Sequence, residues 1–321
     1  MRVVLCSSLG PLSGLTVEER PSAPVGTNDV RVTVTAAGVN FVDGLFVQGL
    51  YQIKPPLPFV PGNEVAGVIA ELGADVVGWA AGDRVIVNVG LGGYATEVVV
   101  DARRLLATPD QLSDGQAATF MQSYMTAWFA LHHRAGVREG KWLLVLGAGG
   151  GVGLAAVDVG HAAGLHVIAV ASSDDKRRVA ADHGAEFVID SSTEDVKARA
   201  KELSGGDGVD YVYDPVGGPQ SEQALGEDGQ FLVIGFASGQ IPKLPANQVL
   251  LRNRRVTGVD WGAWAGRNPR ENHELAAAVL AAIGRGEISP VEPTPYPLEH
   301  AAQAMQDQLD RRVTGKAVLI P

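Results

Sequence analysis

The stretch Lys141-Trp142-Leu143-Leu144-Val145-Leu146-Gly147-Ala148-Gly149-Gly150-Gly151-Val152-Gly153 runs from a short apolar segment into a cluster of glycines. Such glycines let a backbone turn sharply and bring its N–H groups close to a pyrophosphate. The register that works is Ala148-x-Gly150-x-x-Gly153, with alanine in the first glycine position. Ala148, Gly149, Gly150, Gly151, Val152 and Gly153 form the predicted phosphate cradle. About twenty residues further on, a site for an unphosphorylated dinucleotide places Asp or Glu against the ribose hydroxyls. This chain reads Val170-Ala171-Ser172-Ser173-Asp174-Asp175-Lys176-Arg177-Arg178 there. Hydroxyls and a cation welcome a 2′-phosphate, whereas a carboxylate repels it. Ser172, Ser173 and Lys176 therefore point to NADPH as the cofactor. In the competing reading, residues 176–178 open a solvated helix face and Asp174 or Asp175 takes the ribose.

These residues need a particular frame. Trp142 to Leu146 reads as a buried parallel strand, followed by an Ala-rich helix ending near Gly164. His166 to Ala171 is the next strand and completes a βαβ unit of about thirty residues. Strand-like runs recur at 187–189, 209–213, 231–236 and 255–260 with helical segments between them, the pattern of an α/β doubly wound parallel sheet. Residues 1 to 110 have a different texture. Val30, Val32, Val34 and Ala36 alternate with polar residues, and further strands are expected at 64–72, 84–89 and 94–100, separated by Gly-Asp and Gly-Gly turns. The final strand, 316–320, is expected to rejoin this β-rich part and not to extend the parallel sheet.

Composition narrows the function. A chain of 321 residues suits two domains. Its net charge of −10, with no basic stripe, argues against nucleic acid as a partner. No apolar stretch reaches the length of a membrane span, so no membrane partner is expected. The single cysteine, Cys6, forbids internal disulfides and cysteine-rich metal clusters, and a cytoplasmic location is the default.

Several motifs occur in order along nearly the whole chain: Gly38-Val39-Asn40-Phe41-Val42-Asp43, Pro61-Gly62-Asn63-Glu64-Val65-Ala66-Gly67, Gly82-Asp83-Arg84-Val85 and Gly92-Gly93-Tyr94-Ala95. The glycine loop, Asp214-Pro215-Val216-Gly217-Gly218, Ile234-Gly235-Phe236-Ala237-Ser238-Gly239 and Gly315-Lys316-Ala317-Val318-Leu319 follow. Together they resemble the medium-chain dehydrogenase/reductases, in the zinc-independent quinone oxidoreductase branch that includes ζ-crystallin. The resemblance implies a GroES-like β-barrel catalytic domain, residues 1–115 and 285–321. It implies a Rossmann NADP-binding domain, residues 116–284, with the nicotinamide in the cleft between the two. A homodimer is expected. Zinc-dependent relatives place cysteine, histidine and cysteine where Asn40, Asn63 and Gln122 stand. Three amides are poor zinc ligands, so no metal is expected.

On the same resemblance, the backbone of Gly235, Phe236, Ala237 and Ser238 braces the carboxamide, and Thr126 and Arg311 join the cofactor contacts. Asn40 meets a ribose or carboxamide, or is only a turn-forming amide. Tyr51 either donates a hydrogen bond to a substrate carbonyl or packs as an aromatic lid. Asp43 fixes the loop in preference to transferring protons, and Glu64 reads as a buried structural carboxylate. The acceptor site is expected to be apolar and lined by Asn40, Tyr51 and the segment Met121 to Met125. Trp261 and Trp264 are open between core packing and capping a cleft or dimer seam. The implied activity is hydride transfer from NADPH to quinones or similar conjugated carbonyls. The rivals are reduction of an activated C=C bond in an enone, alkenal or acrylate, and a catalytically silent NADPH-binding protein.

Overall fold

Val30, Val32, Val34 and Ala36 are buried while Arg31, Thr33 and Thr35 are not, so one face of the strand Asp29–Val39 meets a core. From Ala36 to Val39 every residue is buried, because a helix covers the second face at that end. A computed structural model describes residues 1–218 and 221–321. The chain forms two units, Met1–Gln122 with Pro290–Pro321, and Ser123–Ser289. Strands β1 (Arg2–Leu5), β2 (Thr16–Glu19), β3 (Asp29–Val39), β4 (Glu64–Leu72), β5 (Arg84–Asn88), β6 (Glu97–Asp101) and β7 (Leu105–Ala107) belong to the first unit. The second unit holds β8 (Trp142–Val145), β9 (His166–Ala171), β10 (Phe187–Asp190), β11 (Val209–Asp214), β12 (Leu225–Val233) and β13 (Arg255–Gly258). The chain then returns to the first unit with β14 (Thr294–Pro297) and β15 (Ala317–Ile320).

In the first unit the sheet order is β14-β15-β3-β4-β5-β7, with β6 also pairing β3. β15 runs antiparallel to β3, with Ala317 opposite Val39 and Leu319 opposite Ala37. The last strand thus rejoins the β-rich part, as its position in the sequence suggested. The helix Asp114–Phe120 lies on β3 and β4, and a Cβ at Gly38 would come within 2.2 Å of the Ala118 carbonyl oxygen. Only a glycine allows that close approach. The same helix holds the returning chain, since Gln116 Nε2 donates to the Pro290 carbonyl (2.6 Å) and Ser113 Oγ to Glu292 (2.8 Å). These contacts put the unit boundaries at 122/123 and 289/290, several residues beyond the expected 115/116 and 284/285.

In the second unit the order is β10-β9-β8-β11-β12-β13, and every neighbouring pair is parallel. In chain order this is 3-2-1-4-5-6, so the order reverses between β8 and β11. Leu144, Ile168, Val212 and Phe231 are fully or almost fully buried and form the centre of its core. Loops leaving the carboxyl ends of β8, β9, β11 and β12 carry most of the predicted cofactor residues.

Candidate functional site

Beyond β8 the chain turns at Gly147, whose φ of +60° is one that L side chains rarely adopt. Gly150 then enters the helix Gly151–Ala162 in extended conformation, with no side chain capping the helix. A Cβ at Gly153 would lie 2.3 Å from the Gly147 carbonyl oxygen, so the first helical turn rests directly on the loop. Ala148 donates its N–H to the Val170 carbonyl (2.9 Å), which ties the loop to the end of β9. Uncapped N–H groups, a loop without side-chain bulk and a helix N-terminus together fit an anionic pyrophosphate. Gly147 also sits against Val216, where the order of the strands reverses. The Asp214 carboxylate shapes that neighbouring loop by accepting from the N–H groups of Val216 and Gly217, both at 2.8 Å. Ala237 and Ser238 donate their N–H groups to Pro215 and Val216 (3.1 and 2.9 Å), so the 235–238 segment is fastened to the same loop.

At the end of β9, Ser172 and Ser173 are exposed, and Ser173 precedes the helix Asp174–Asp182. The three cations that follow differ in what they do. Arg177 turns inward, pairs with Asp174 and Asp190, and donates to the Ala171 carbonyl (3.2 Å). Arg178 pairs with Asp175 at 2.9 Å. Asp174 and Asp175 are thereby each paired with an arginine three positions on. The Lys176 Cβ, Cγ and Cδ stem packs over Gly149 within the glycine loop. Lys176 therefore borders the glycine loop, while Arg177 and Arg178 hold the helix.

In the first unit the amides and carboxylates named by the motifs form one hydrogen-bonded cluster. Asn40 stands between β3 and the helix Phe41–Gln48; its Nδ2 donates to Asn63 Oδ1 (2.8 Å) and Glu64 Oε1 (2.9 Å). Its Oδ1 accepts from Lys316 Nζ. Asn63 Nδ2 donates to Gln122 Oε1 (3.3 Å), and Glu64 Oε2 accepts the Gln122 N–H (2.9 Å). Lys316 also pairs with Glu64 at 3.1 Å, and both side chains are buried. Asp43 Oδ2 accepts from the Asn40 N–H and the Tyr94 hydroxyl, both at 2.8 Å. Its Oδ1 is buried without a hydrogen-bond partner. Burial pushes the Asp43 carboxyl up to about 6, against the lowering pull of the Asn40 N–H, the Tyr94 hydroxyl and the Lys316 charge. Tyr94 is raised well above its ordinary value, first by burial and then by the Asp43 charge.

This geometry assigns Asp43 to holding the Asn40 loop. It also engages both Nδ2 hydrogens of Asn40. Tyr51 stands outside the cluster, 38% exposed, with its ring edge-on to Phe46 at 4.9 Å. In the segment Met121 to Met125, Met121, Ser123, Tyr124 and Met125 are all buried. The Tyr124 hydroxyl is bonded to Asp158 (2.8 Å), and Gln122 alone in this segment remains partly exposed. Thr126 is buried, and Arg311 is exposed in a turn with φ +60°. Trp261 is a packing residue whose Nε1 donates to Asn272, and Trp264 packs at a tilt against Phe129 and His133. Sequence reasoning missed Lys316 and Tyr94 as members of the cluster. The available signal was a lysine followed directly by the apolar strand Ala317-Val318-Leu319.

The site does not fit a catalytic zinc. Three neutral amides replace thiolate and imidazole, and the Lys316 ammonium already holds the oxygen of Asn40.

Residues 26–110 match the alcohol dehydrogenase GroES-like domain family, and residues 151–281 match the family described as zinc-binding dehydrogenase. The chain is 38% identical to the quinone oxidoreductase-like protein 2 homolog of Nematostella vectensis, over 99% of this chain and 88% of that protein. It is 32% identical to the quinone oxidoreductase of Sus scrofa, over 91% and 89%. The Escherichia coli quinone oxidoreductase, solved in complex with NADPH, superposes with a TM-score of 0.88 at 28% identity, covering 100% of both chains. The chain belongs to the medium-chain dehydrogenase/reductases, in their zinc-independent quinone oxidoreductase branch. Its first unit contains the GroES-like domain, its second is the Rossmann domain, and it is an oxidoreductase of a nicotinamide-dependent family. Among the described residues, no helix is long and apolar enough to cross a membrane.

Proposed function

We propose that this protein is an NADPH-dependent reductase of quinones or similar conjugated carbonyls. The observation that carries the reading is Lys176 packed over Gly149, which brings an ammonium-bearing chain to the edge of the pyrophosphate cradle. Ser172, Ser173 and Lys176 would hold the 2′-phosphate, and the backbone of residues 148–153 would hold the pyrophosphate. The 235–238 backbone would brace the carboxamide, with Asn40 Oδ1, Thr126 and Arg311 completing the cofactor contacts. The bound nicotinamide supplies a hydride, and the protein's part is to orient the acceptor and stabilise charge on its oxygen. Tyr51, exposed at 38%, would donate its phenolic hydrogen to that oxygen.

A homodimer is the assembly we propose. β13 ends the six-stranded sheet, Val256 on it is exposed, and Leu250 and Leu251 just before it are more than two-thirds exposed. An edge of that kind is stabilised by a second copy. The single cysteine, buried and free, suits the reducing cytoplasm we propose as its setting.

Turnover of a quinone panel with NADPH and with NADH, alongside dissociation constants for both, tests the reading. Reduction of quinones with a clear NADPH preference is expected. Tight NADPH binding with no turnover of any quinone or enone would make it a silent binder. Reduction of only the C=C bond of enones would move it to the alkene reductases.

A further inference from the structure

We propose that Asp214 is a positioning residue for the nicotinamide end of the cofactor, because its carboxylate folds the loop on which the 235–238 backbone is hung. The inference rests on the reading that this backbone braces the carboxamide. It adds the residue that decides where the brace stands.

Asp214 ends β11, beside the place where the strand order reverses, and it is 1% exposed. Pro215 has no N–H, so the first backbone donors beyond β11 are those of Val216 and Gly217. Asp214 Oδ1 accepts both at 2.8 Å. Oδ2 is buried and, among the described residues, has no hydrogen-bond partner. One oxygen thus folds the loop by bonding to its own backbone two and three residues on. Gly217 completes the turn with a φ of +73°, and a Cβ there would lie 2.5 Å from the Gln240 carbonyl oxygen.

The carbonyls of the folded loop take up the segment that follows β12, one after another. The Asp214 carbonyl accepts from the N–H groups of Ile234 and Gly235 (3.0 and 3.2 Å). The Pro215 carbonyl accepts from Ala237 (3.1 Å), and that of Val216 from Ser238 (2.9 Å). Three consecutive carbonyls therefore hold four N–H groups between 234 and 238. Their spacing depends on the turn that the carboxylate makes. The phosphate cradle is fastened separately, through Ala148 to the Val170 carbonyl and Gly150 to the Gly147 carbonyl. Gly147 meets the loop at the Val216 side chain, a contact that fixes none of these hydrogen bonds. Asp214 itself would touch neither substrate nor cofactor. It acts through the 235–238 backbone.

The test compares Asp214→Ala and Asp214→Asn with the wild type, using the thermal midpoint to check folding. The probes are NADPH and adenosine 2′,5′-bisphosphate, which carries the 2′-phosphate but no nicotinamide. Asp214→Ala strands two buried N–H groups, so NADPH affinity should fall about tenfold or more. Its affinity for the bisphosphate should stay within about twofold of wild type, because the cradle keeps its own supports. At saturating NADPH, kcat with a simple benzoquinone should also fall about tenfold or more. Asp214→Asn keeps one oxygen able to accept both N–H groups, and should return NADPH affinity to within about threefold of wild type. Equal losses for NADPH and the bisphosphate would make Asp214 a support of the whole site and overturn the proposal. Unchanged NADPH affinity and rate in Asp214→Ala would overturn it too. If Asp214→Ala does not fold, Asp214→Ser, with a shorter acceptor, takes its place under the same criteria. Amide hydrogen exchange is a readout that needs no ligand: Ala237 and Ser238 should exchange faster in Asp214→Ala, with Ala148 unmoved. If the wild type binds no NADPH, the functional reading fails by itself, and unmoved exchange at Ala237 and Ser238 would separately refute the coupling.

Discussion

Replacing Asp43 by asparagine should make the protein less sensitive to pH in a defined direction. Asp43 is fully buried, and its carboxyl is pushed from an ordinary 3.8 up to about 6. At about 1.4 kcal/mol per pH unit, keeping this group ionised costs the folded state about 3 kcal/mol. The sign follows from which state holds the proton. Below pH 3.8 the group is protonated whether folded or unfolded, and there is no penalty. As pH rises from 3.8 to 6 the unfolded chain loses its proton first, so folded stability falls, and above 6 the full penalty remains. The charged neighbours act in both directions: Lys316 eases the ionisation and Glu64 opposes it. The asparagine introduced by Asp43→Asn would still accept from the Asn40 N–H and the Tyr94 hydroxyl through its one oxygen, where Asp43 Oδ2 now accepts both. Its NH₂ group would occupy the place of the unpartnered Oδ1. The assay is the stability difference between Asp43→Asn and wild type at pH 4 and at pH 7.5. Taking the difference cancels carboxylates that titrate the other way, such as Asp101, held down to about 2 by Arg103. The variant should gain about 2.4 kcal/mol relative to wild type between the two pH values, since a small part of the penalty is already present at pH 4. A difference that stays constant with pH would refute the burial argument, as would carbon-13 NMR showing Asp43 titrating near its ordinary 3.8.

Three further outcomes follow from the same geometry. Gly153→Ala forces a Cβ to within 2.3 Å of the Gly147 carbonyl oxygen, so the cradle must open. Overpacking of this sort costs about 1–3 kcal/mol, and NADPH affinity measured by fluorescence titration should fall about tenfold or more; unchanged affinity would mean that the loop yields freely. Lys176→Ala should weaken NADPH about tenfold, from a charge-assisted contact of about 1.5–3 kcal/mol, and leave NADH unaffected. Equal losses for the two cofactors would assign Lys176 to loop packing alone. Tyr51→Phe should lower kcat/KM about tenfold, roughly 1.4 kcal/mol, with NADPH affinity unchanged; a wild-type rate would leave the ring as a lid on Phe46.

By itself the sequence determined the parallel sheet and the glycine turn that follows its first strand. Both are local or periodic signals: an apolar run ending in Gly147 to Gly153, then strands at regular intervals, each governed by backbone sterics and short-range burial. The alternation along Asp29 to Ala36 likewise identified β3 without reference to any distant residue. What each charged group does was decided only by tertiary structure. Lys176, Arg177 and Arg178 are adjacent in sequence, yet Arg177 clamps β9 to β10 through Asp190, Arg178 pairs on its own helix, and Lys176 crosses the glycine loop. A helix separates neighbouring side chains by about 100°, so their partners depend on what packs around that helix. The amide cluster is the stronger case. Lys316 lies 276 positions from Asn40 and 252 from Glu64, and the pairing of β15 with β3 brings it to both. No pattern within a window of residues specifies that contact, because antiparallel register between the two ends of a chain is set by which strands share a core. The orientation of the Asn40 and Asn63 amides became legible only once that lysine was in place.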